Sequence, residues 1–171
     1  MSSTVSKQDF ALLVRQNARQ VIDFTARLLP ERQDAEEVAQ DVFVKAFRQM
    51  DTFRGDANLL TWLQRIAYHE AMSRLRHRRP YMMDIDDVPI GEEPDDDLST
   101  GNEARIQLLE ETIDLLPPDD QLLLHLYYYD DRPLRDIAYI MDTEPNALGV
   151  RLHRIRKKLQ KMIKQRENED I

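Results

Sequence analysis

The sequence contains no cysteine, which excludes disulfides, thiolate nucleophiles and cysteine-held metals, and permits a reducing compartment. It has only four glycines in 171 residues and no alternating apolar–polar runs, so extended sheet has little to build on. No apolar run approaches the roughly 20 residues needed to cross a bilayer, and membrane insertion is not expected. The first ten residues, MSSTVSKQDF, have no apolar stretch of the secretory kind, so the expected location is the cytoplasm. Phosphate-binding glycine loops, G-x-G-x-x-G, H-E-x-x-H and G-x-S-x-G are all missing. The four histidines, at 69, 77, 125 and 153, are scattered. No residue is therefore assigned a catalytic or metal-binding role, no cofactor is expected, and the protein reads as a non-enzyme.

What the chain does have is helical period, so the fold class is all-α. The most informative stretch is Arg132 to Lys164, two helices joined by a tight turn. On the first, Leu134, Ile137, Ala138 and Met141 form one apolar stripe, with Asp131 as the expected cap and Pro133 in the first turn. Asp142 to Pro145 makes the turn, Thr143 is the expected second cap, and Pro145 lies in the new first turn. The second helix sets Leu148, Leu152, Ile155, Leu159 and Met162 inward. Its other faces carry Arg151, Arg154, Arg156, Lys157, Lys158, Lys161 and Lys164, and no acid lies between Pro145 and Arg166. A solvated charged helix is the plainer reading of such cations. The paired helices and their turn favour a helix-turn-helix whose second helix enters the major groove, its cations neutralising phosphates.

A net charge of −8 conflicts with DNA binding only until its distribution is considered. The segment Asp84 to Asp97, DIDDVPIGEEPDDD, holds eight acids and no base; the rest of the chain balances 24 acids with 24 bases. Bases then cluster at Arg74–Arg79 and Arg151–Arg166. The acidic segment reads as a linker over residues 81–102, extended by self-repulsion. It lacks the glycine and ligand spacing of a calcium-binding EF-hand loop. The linker separates an N-terminal helical domain, residues 1–80, from a C-terminal one, residues 103–171.

In the first domain, helix one is expected over Gln8–Leu29, with Phe10, Leu13, Val14, Val21, Phe24 and Leu28 inward and Pro30 ending it. Helix two opens at Asp34 with a capping-box pattern to Glu37. Val38, Val42, Phe43, Ala46, Phe47 and Met50 line one side of it. A polar loop, DTFRGDAN, carries the aromatic Phe53 before helix three, Leu59–His77, which buries Trp62, Leu63, Ile66, Ala67 and Leu75. Aromatics beside a basic helix end suit stacking on unpaired nucleotides, although a buried aromatic core has the same composition. In the second domain, Glu103–Leu116 and Asp119–Asp130, divided by Pro117 and Pro118, pack beneath the helix-turn-helix as a four-helix unit. Their expected stripes are Ile106, Leu109, Ile113 and Leu116, then Leu122, Leu123, Leu126 and Tyr127.

Two blocks carry a family resemblance. DAEEVAQDVFVKAFRQMDTFRGDANLLTWLQRIAYHEAMSRLRHRRP, Asp34 to Pro80, is similar to region 2 of the extracytoplasmic-function sigma factors of bacterial RNA polymerase. LLPPDDQLLLHLYYYDDRPLRDIAYIMDTEPNALGVRLHRIRKKL, Leu115 to Leu159, is similar to their region 4. The resemblance implies a protein that binds core RNA polymerase and directs initiation by recognising the −10 and −35 promoter elements. It implies contact with the polymerase through Glu37, Gln40, Asp41 and Phe47. It implies capture of the −10 strand by Lys45, Gln49, Phe53, Trp62, His69, Arg74 and Arg76. It implies −35 contacts by Asn146, Gly149, Val150, Arg151, His153, Arg154, Lys157 and Lys158. Gly149 and Val150 stand where the family often has a base and a serine. An anti-sigma protein and a monomeric free state are also implied. A stand-alone operator-binding dimer and a helical adaptor without a nucleic-acid role are the alternative readings of the residues.

Overall fold

A computed structural model describes residues 7–78 and 103–169. The acidic linker, and Arg79 of the first basic cluster, lie outside the described residues. The described residues form helices and turns, with no strand among them.

Three long helices make the N-terminal module: α1 (Lys7–Leu28), α2 (Arg32–Gln49) and α3 (Leu59–Arg78). They pack pairwise, each against both others. Alanines at 35, 39 and 46 of α2 and at 67 and 71 of α3 are fully covered, and such small side chains allow the backbones to approach closely. Around them pack Val21, Phe24, Leu28, Val38, Val42 and Leu63. Four consecutive residues of α3, Thr61 to Gln64, are buried. That pattern cannot arise on a helix covered on one face only; α3 is also covered by the C-terminal module.

The C-terminal module contains α4 (Glu103–Ile113), α5 (Pro118–Leu124), α6 (Leu134–Met141) and α7 (Pro145–Glu169). A single π-type turn, His125–Tyr129, follows α5. Its core is Leu122, Leu123, Leu126, Ile137, Ile140, Leu148, Leu152, Ile155 and Leu159. This core is continuous with that of the first module. Contacts run from α3 to α6 and from α1 to α5.

Several local expectations are corrected. The α2 helix starts at Arg32 after an extended Glu31, and Asp34 lies buried within the helix instead of capping it, drawn to Arg74 of α3 at 3.7 Å. Pro133, not Asp131, precedes α6; Asp131 takes a left-handed φ of 48°, which aspartate tolerates better than most residues. Asp142 ends α6 with φ 54°, so the chain reverses and α7 begins at Pro145, preceded by Glu144, one residue beyond the expected Thr143 cap. The seam of α7 closes with Ile163 instead of Met162. Ile140, off the expected stripe of α6, is fully buried because α6 packs on α3 as well as on α7. Ile106 and Phe47, both expected inward, are more than half exposed.

Candidate nucleic-acid interface

The geometry of α7 divides its eight predicted residues into two groups. Asn146, Val150, His153, Arg154 and Lys157 recur at helical spacing along one face. Asn146, Val150, His153 and Arg154 are exposed, Val150 by 53%. Gly149 borders this face, and a Cβ built there meets nothing within 4 Å. The backbone is therefore unobstructed, and the glycine is not demanded by its neighbours.

Arg151 and Lys158 lie on a flank that faces α5. Arg151 donates from Nε to Asp120 Oδ1 at 2.7 Å and from Nη2 to Asp119 Oδ2 at 2.6 Å. Burial pushes the Asp120 carboxyl up, while the Arg151 guanidinium pulls it down. Burial likewise opposes the Arg151 charge, but Asp119 and Asp120 reverse that and hold it firmly protonated. Burial lowers Lys158, against the opposing pull of Asp120. This fork locks the N-terminal half of α7 onto α5. Asp119 and Asp120 open a short helix, where sequence explains acids through the helix dipole alone. Their partner lies more than 30 residues away, a distance no spacing rule covers.

On the N-terminal module, Glu37, Gln40, Asp41 and Phe47 share the outward face of α2 with Val44. Phe47 is 51% exposed and meets Phe10 of α1 edge to face at 5.0 Å. The face thus combines two carboxylates with an uncovered aromatic surface, a composition suited to a protein partner.

The predicted −10 residues are dispersed. Trp62 is buried and packs against half-buried Phe53 with ring centroids 5.2 Å apart. Their contact is the aromatic core that the sequence left as an alternative to an open stacking platform. Lys45 pairs with Glu70 of α3, Gln49 is exposed at the end of α2, and Arg76 is exposed. Arg74 contacts Glu37 at 2.9 Å and lies 3.7 Å from both Asp34 and Asp41, so its charge is shared with the acids of α2. His69 faces Asp142 of the other module at 4.0 Å.

Sequence reasoning missed the residues that join the modules. Arg132 donates from Nη1 to Gln64 Oε1 at 3.0 Å and from Nη2 to Thr61 Oγ1 at 2.7 Å. Arg65 donates to the Tyr139 carbonyl at 3.1 Å and to Asp142 Oδ1 at 3.2 Å, and stacks over the Tyr139 ring at 4.7 Å. Thr61 also donates to Asn58 Oδ1, which accepts from the Thr61 N–H and thereby caps α3. Only the two polar positions on the buried side of α3 hinted at this contact. Among the described residues no buried side-chain nitrogen or oxygen lacks a partner, and no cluster of residues able to hold a metal ion is found.

Comparison with known proteins follows the same division. The model of Sigma-70 region 2 matches residues 13–81, and that of Sigma-70 region 4 matches residues 106–159. The chain is 30% identical over 168 residues to the RNA polymerase sigma-H factor of Pseudomonas aeruginosa, covering 92% of this chain and 87% of that one. It is 32% identical over 159 residues to the ECF RNA polymerase sigma-E factor of Escherichia coli K12, covering 86% and 82%. The fold matches the sigma factor RpoE solved with the anti-sigma factor NepR from Bartonella quintana. That match has a TM-score of 0.62 at 24% identity over 92% of this chain and 98% of that one. It also matches CnrH solved with the cytosolic domain of CnrY, with a TM-score of 0.62 at 20% identity over 94% and 90%. Two ordered regions of one family, in a chain aligned along most of its length with relatives at or above 30% identity, place it: the protein belongs to the extracytoplasmic-function sigma factors, which direct transcription initiation by RNA polymerase.

Proposed function

We propose that the protein joins core RNA polymerase in the cytoplasm and brings it to promoters through two separate DNA contacts. The α2 face of Glu37, Gln40, Asp41 and Phe47 is the polymerase-binding surface. Lys45, Gln49, Phe53, Trp62, His69, Arg74 and Arg76 surround the site for the unpaired −10 strand, where contacts must offset the few kcal/mol needed to unstack a base. The outward face of α7 reads the −35 duplex. Within that set, Asn146, His153, Arg154 and Lys157 reach DNA, while Arg151 and Lys158 position the helix. The observation that carries this reading is the exposed face of α7, on the second helix of a helix-turn-helix, in a stretch without acids from Pro145 to Arg166. The free protein is a monomer, and an anti-sigma protein restrains it. No described helix is long and apolar enough to cross a membrane.

Transcription with core polymerase tests this directly. Core enzyme plus this protein initiates at discrete sites on genomic fragments, and core enzyme alone does not. Arg154→Ala weakens use of those sites by the equivalent of about 1–3 kcal/mol when it removes a base contact. Absence of discrete initiation on any fragment overturns the reading.

A further inference from the structure

Two adjacent residues of α7, Gly149 and Val150, are explained neither by the core nor by phosphate binding. Val150 is 53% exposed and Gly149 is half-buried. A Cβ at Gly149 meets nothing within 4 Å, so packing does not require glycine there. Glycine in a helix interior costs backbone entropy, and valine loses rotamer freedom against the preceding turn. The chain thus sets two weak helix formers side by side in the second turn of a 25-residue helix, and neither belongs to the core.

Scattered exposed apolar side chains are ordinary, and Val44 of α2 is nearly as open as Val150. The setting is what distinguishes Val150. At 3.6 residues per turn, Asn146, Val150, His153, Arg154 and Lys157 fall within an arc of roughly 100°. Val150 lies inside that arc, four residues from Asn146 and four from Arg154. No acid lies between Pro145 and Arg166. The one apolar side chain of this arc is therefore ringed by groups that suit a polyanion. It also lies in the N-terminal part of the helix, the part of a reading helix that reaches base edges.

Base edges in the major groove offer hydrogen-bonding groups and one apolar group, the 5-methyl of thymine. The valine side chain has no donor or acceptor, so that methyl is the feature it can select. Against cytosine, the same valine strips water from an amino group and returns no partner. Valine is short, and apolar contact requires heavy atoms within about 4–4.5 Å, so the helix backbone must sit deep in the groove. Gly149 borders the face and has no side chain to obstruct that approach.

We propose that Val150 is a specificity-determining residue of α7: it selects a thymine of the −35 element by its 5-methyl group, and Gly149 lets the helix come close enough for the contact. The proposal rests on the assignment of this face of α7 to the −35 duplex and adds the base chemistry that it selects.

The test uses holoenzyme formed from core polymerase and this protein, on amplified, unmethylated fragments at which it initiates. Thymine is then the sole source of a 5-methyl group. Each thymine of the −35 element, on either strand, is replaced in turn by deoxyuridine, which keeps the Watson–Crick hydrogen bonds and loses the methyl. One replacement weakens holoenzyme binding about fourfold, the effect of leaving one methyl group unburied. With Val150→Ala, the thymine and uracil duplexes bind alike; a merely structural role for Val150 would weaken both and preserve the gap between them. Gly149→Ala raises the denaturation midpoint of the free protein, as helix propensity requires, yet weakens binding to the thymine duplex. A −35 element without thymine, indifference to uracil at every position, or a gap that survives Val150→Ala overturns the proposal. Undiminished binding by Gly149→Ala overturns the role of the glycine. Absence of discrete initiation on every fragment overturns the sigma-factor reading and the proposal with it, whereas discrete initiation indifferent to the methyl leaves that reading standing and removes the role of Val150 alone.

Discussion

The two basic regions look alike in the sequence and behave differently in the fold. In the N-terminal module Arg74 lies among Asp34, Glu37 and Asp41, and Lys45 pairs with Glu70. In the C-terminal module the outward face of α7 presents His153 and Arg154 to solvent. The difference comes from the neighbouring helices. The α2 helix brings acids along α3, whereas the acids of α5 meet the inner flank of α7, at Arg151 and Lys158. Counting cations in a window thus finds basic surface only where the packed neighbour is not acidic.

The largest effects should come from the cores, and they test whether the modules are energetically separate. Leu63 and Leu123 are both fully buried, and truncating either to alanine costs about 2–5 kcal/mol. Trp62 is the only tryptophan and lies in the N-terminal module, so its fluorescence reports that module. With a shared core, Leu123→Ala lowers the melting midpoint seen by Trp62; an unchanged midpoint means that the modules unfold independently. Overpacking comes next. Ala67→Leu inserts methylenes among α1, α2 and α3, where Ala67 has no accessible surface, and costs about 1–3 kcal/mol by denaturant titration.

The contrast within α7 is smaller in energy and sharper in meaning. Arg151→Ala leaves Asp119 and Asp120 without their fork and destabilises by about 1 kcal/mol, given the partial exposure of Arg151. Arg154→Ala should change stability by less than about 0.5 kcal/mol and weaken −35 DNA binding instead. Thermal melts and a binding titration on the same two variants separate positioning from contact.

The smallest effect is in pH. Burial, reinforced by Arg27, lowers the pKa of His125 against the opposing pull of Asp130. The unfolded chain then takes up the proton first, so this contribution to stability is present above about pH 6.5 and is lost as pH falls through the lowered folded value. His125→Asn should flatten the stability profile between neutral and mildly acidic pH, measured as the denaturation midpoint.

Much of the helix layout was legible because apolar period survives whatever a helix packs against. The helices α1, α2, α3 and α7 were expected within a few residues, and so was the turn between α6 and α7. The expected caps at Asp34, Asp131 and Thr143 failed for one reason: a cap depends on backbone angles, and the chain set those angles through tertiary contacts. The face of α2 with Glu37, Gln40, Asp41 and Phe47 could be named from resemblance. Its exposure needed the fold, because Phe47 also fits the apolar stripe by spacing. The same limit hid Ile140, whose burial comes from a helix of the other module.

By itself, the sequence determined that this protein is helical, that its charge is segregated, and that its last long helix is basic on every face except one. Those properties reside in nearest neighbours and in the helical period. Only the tertiary structure decided which cations remain outward, that Arg151 turns to Asp119 and Asp120, and that Arg132 closes one module onto the other. Each of these joins residues about 30 to 70 positions apart, and over such distances only the packed chain determines which charges meet.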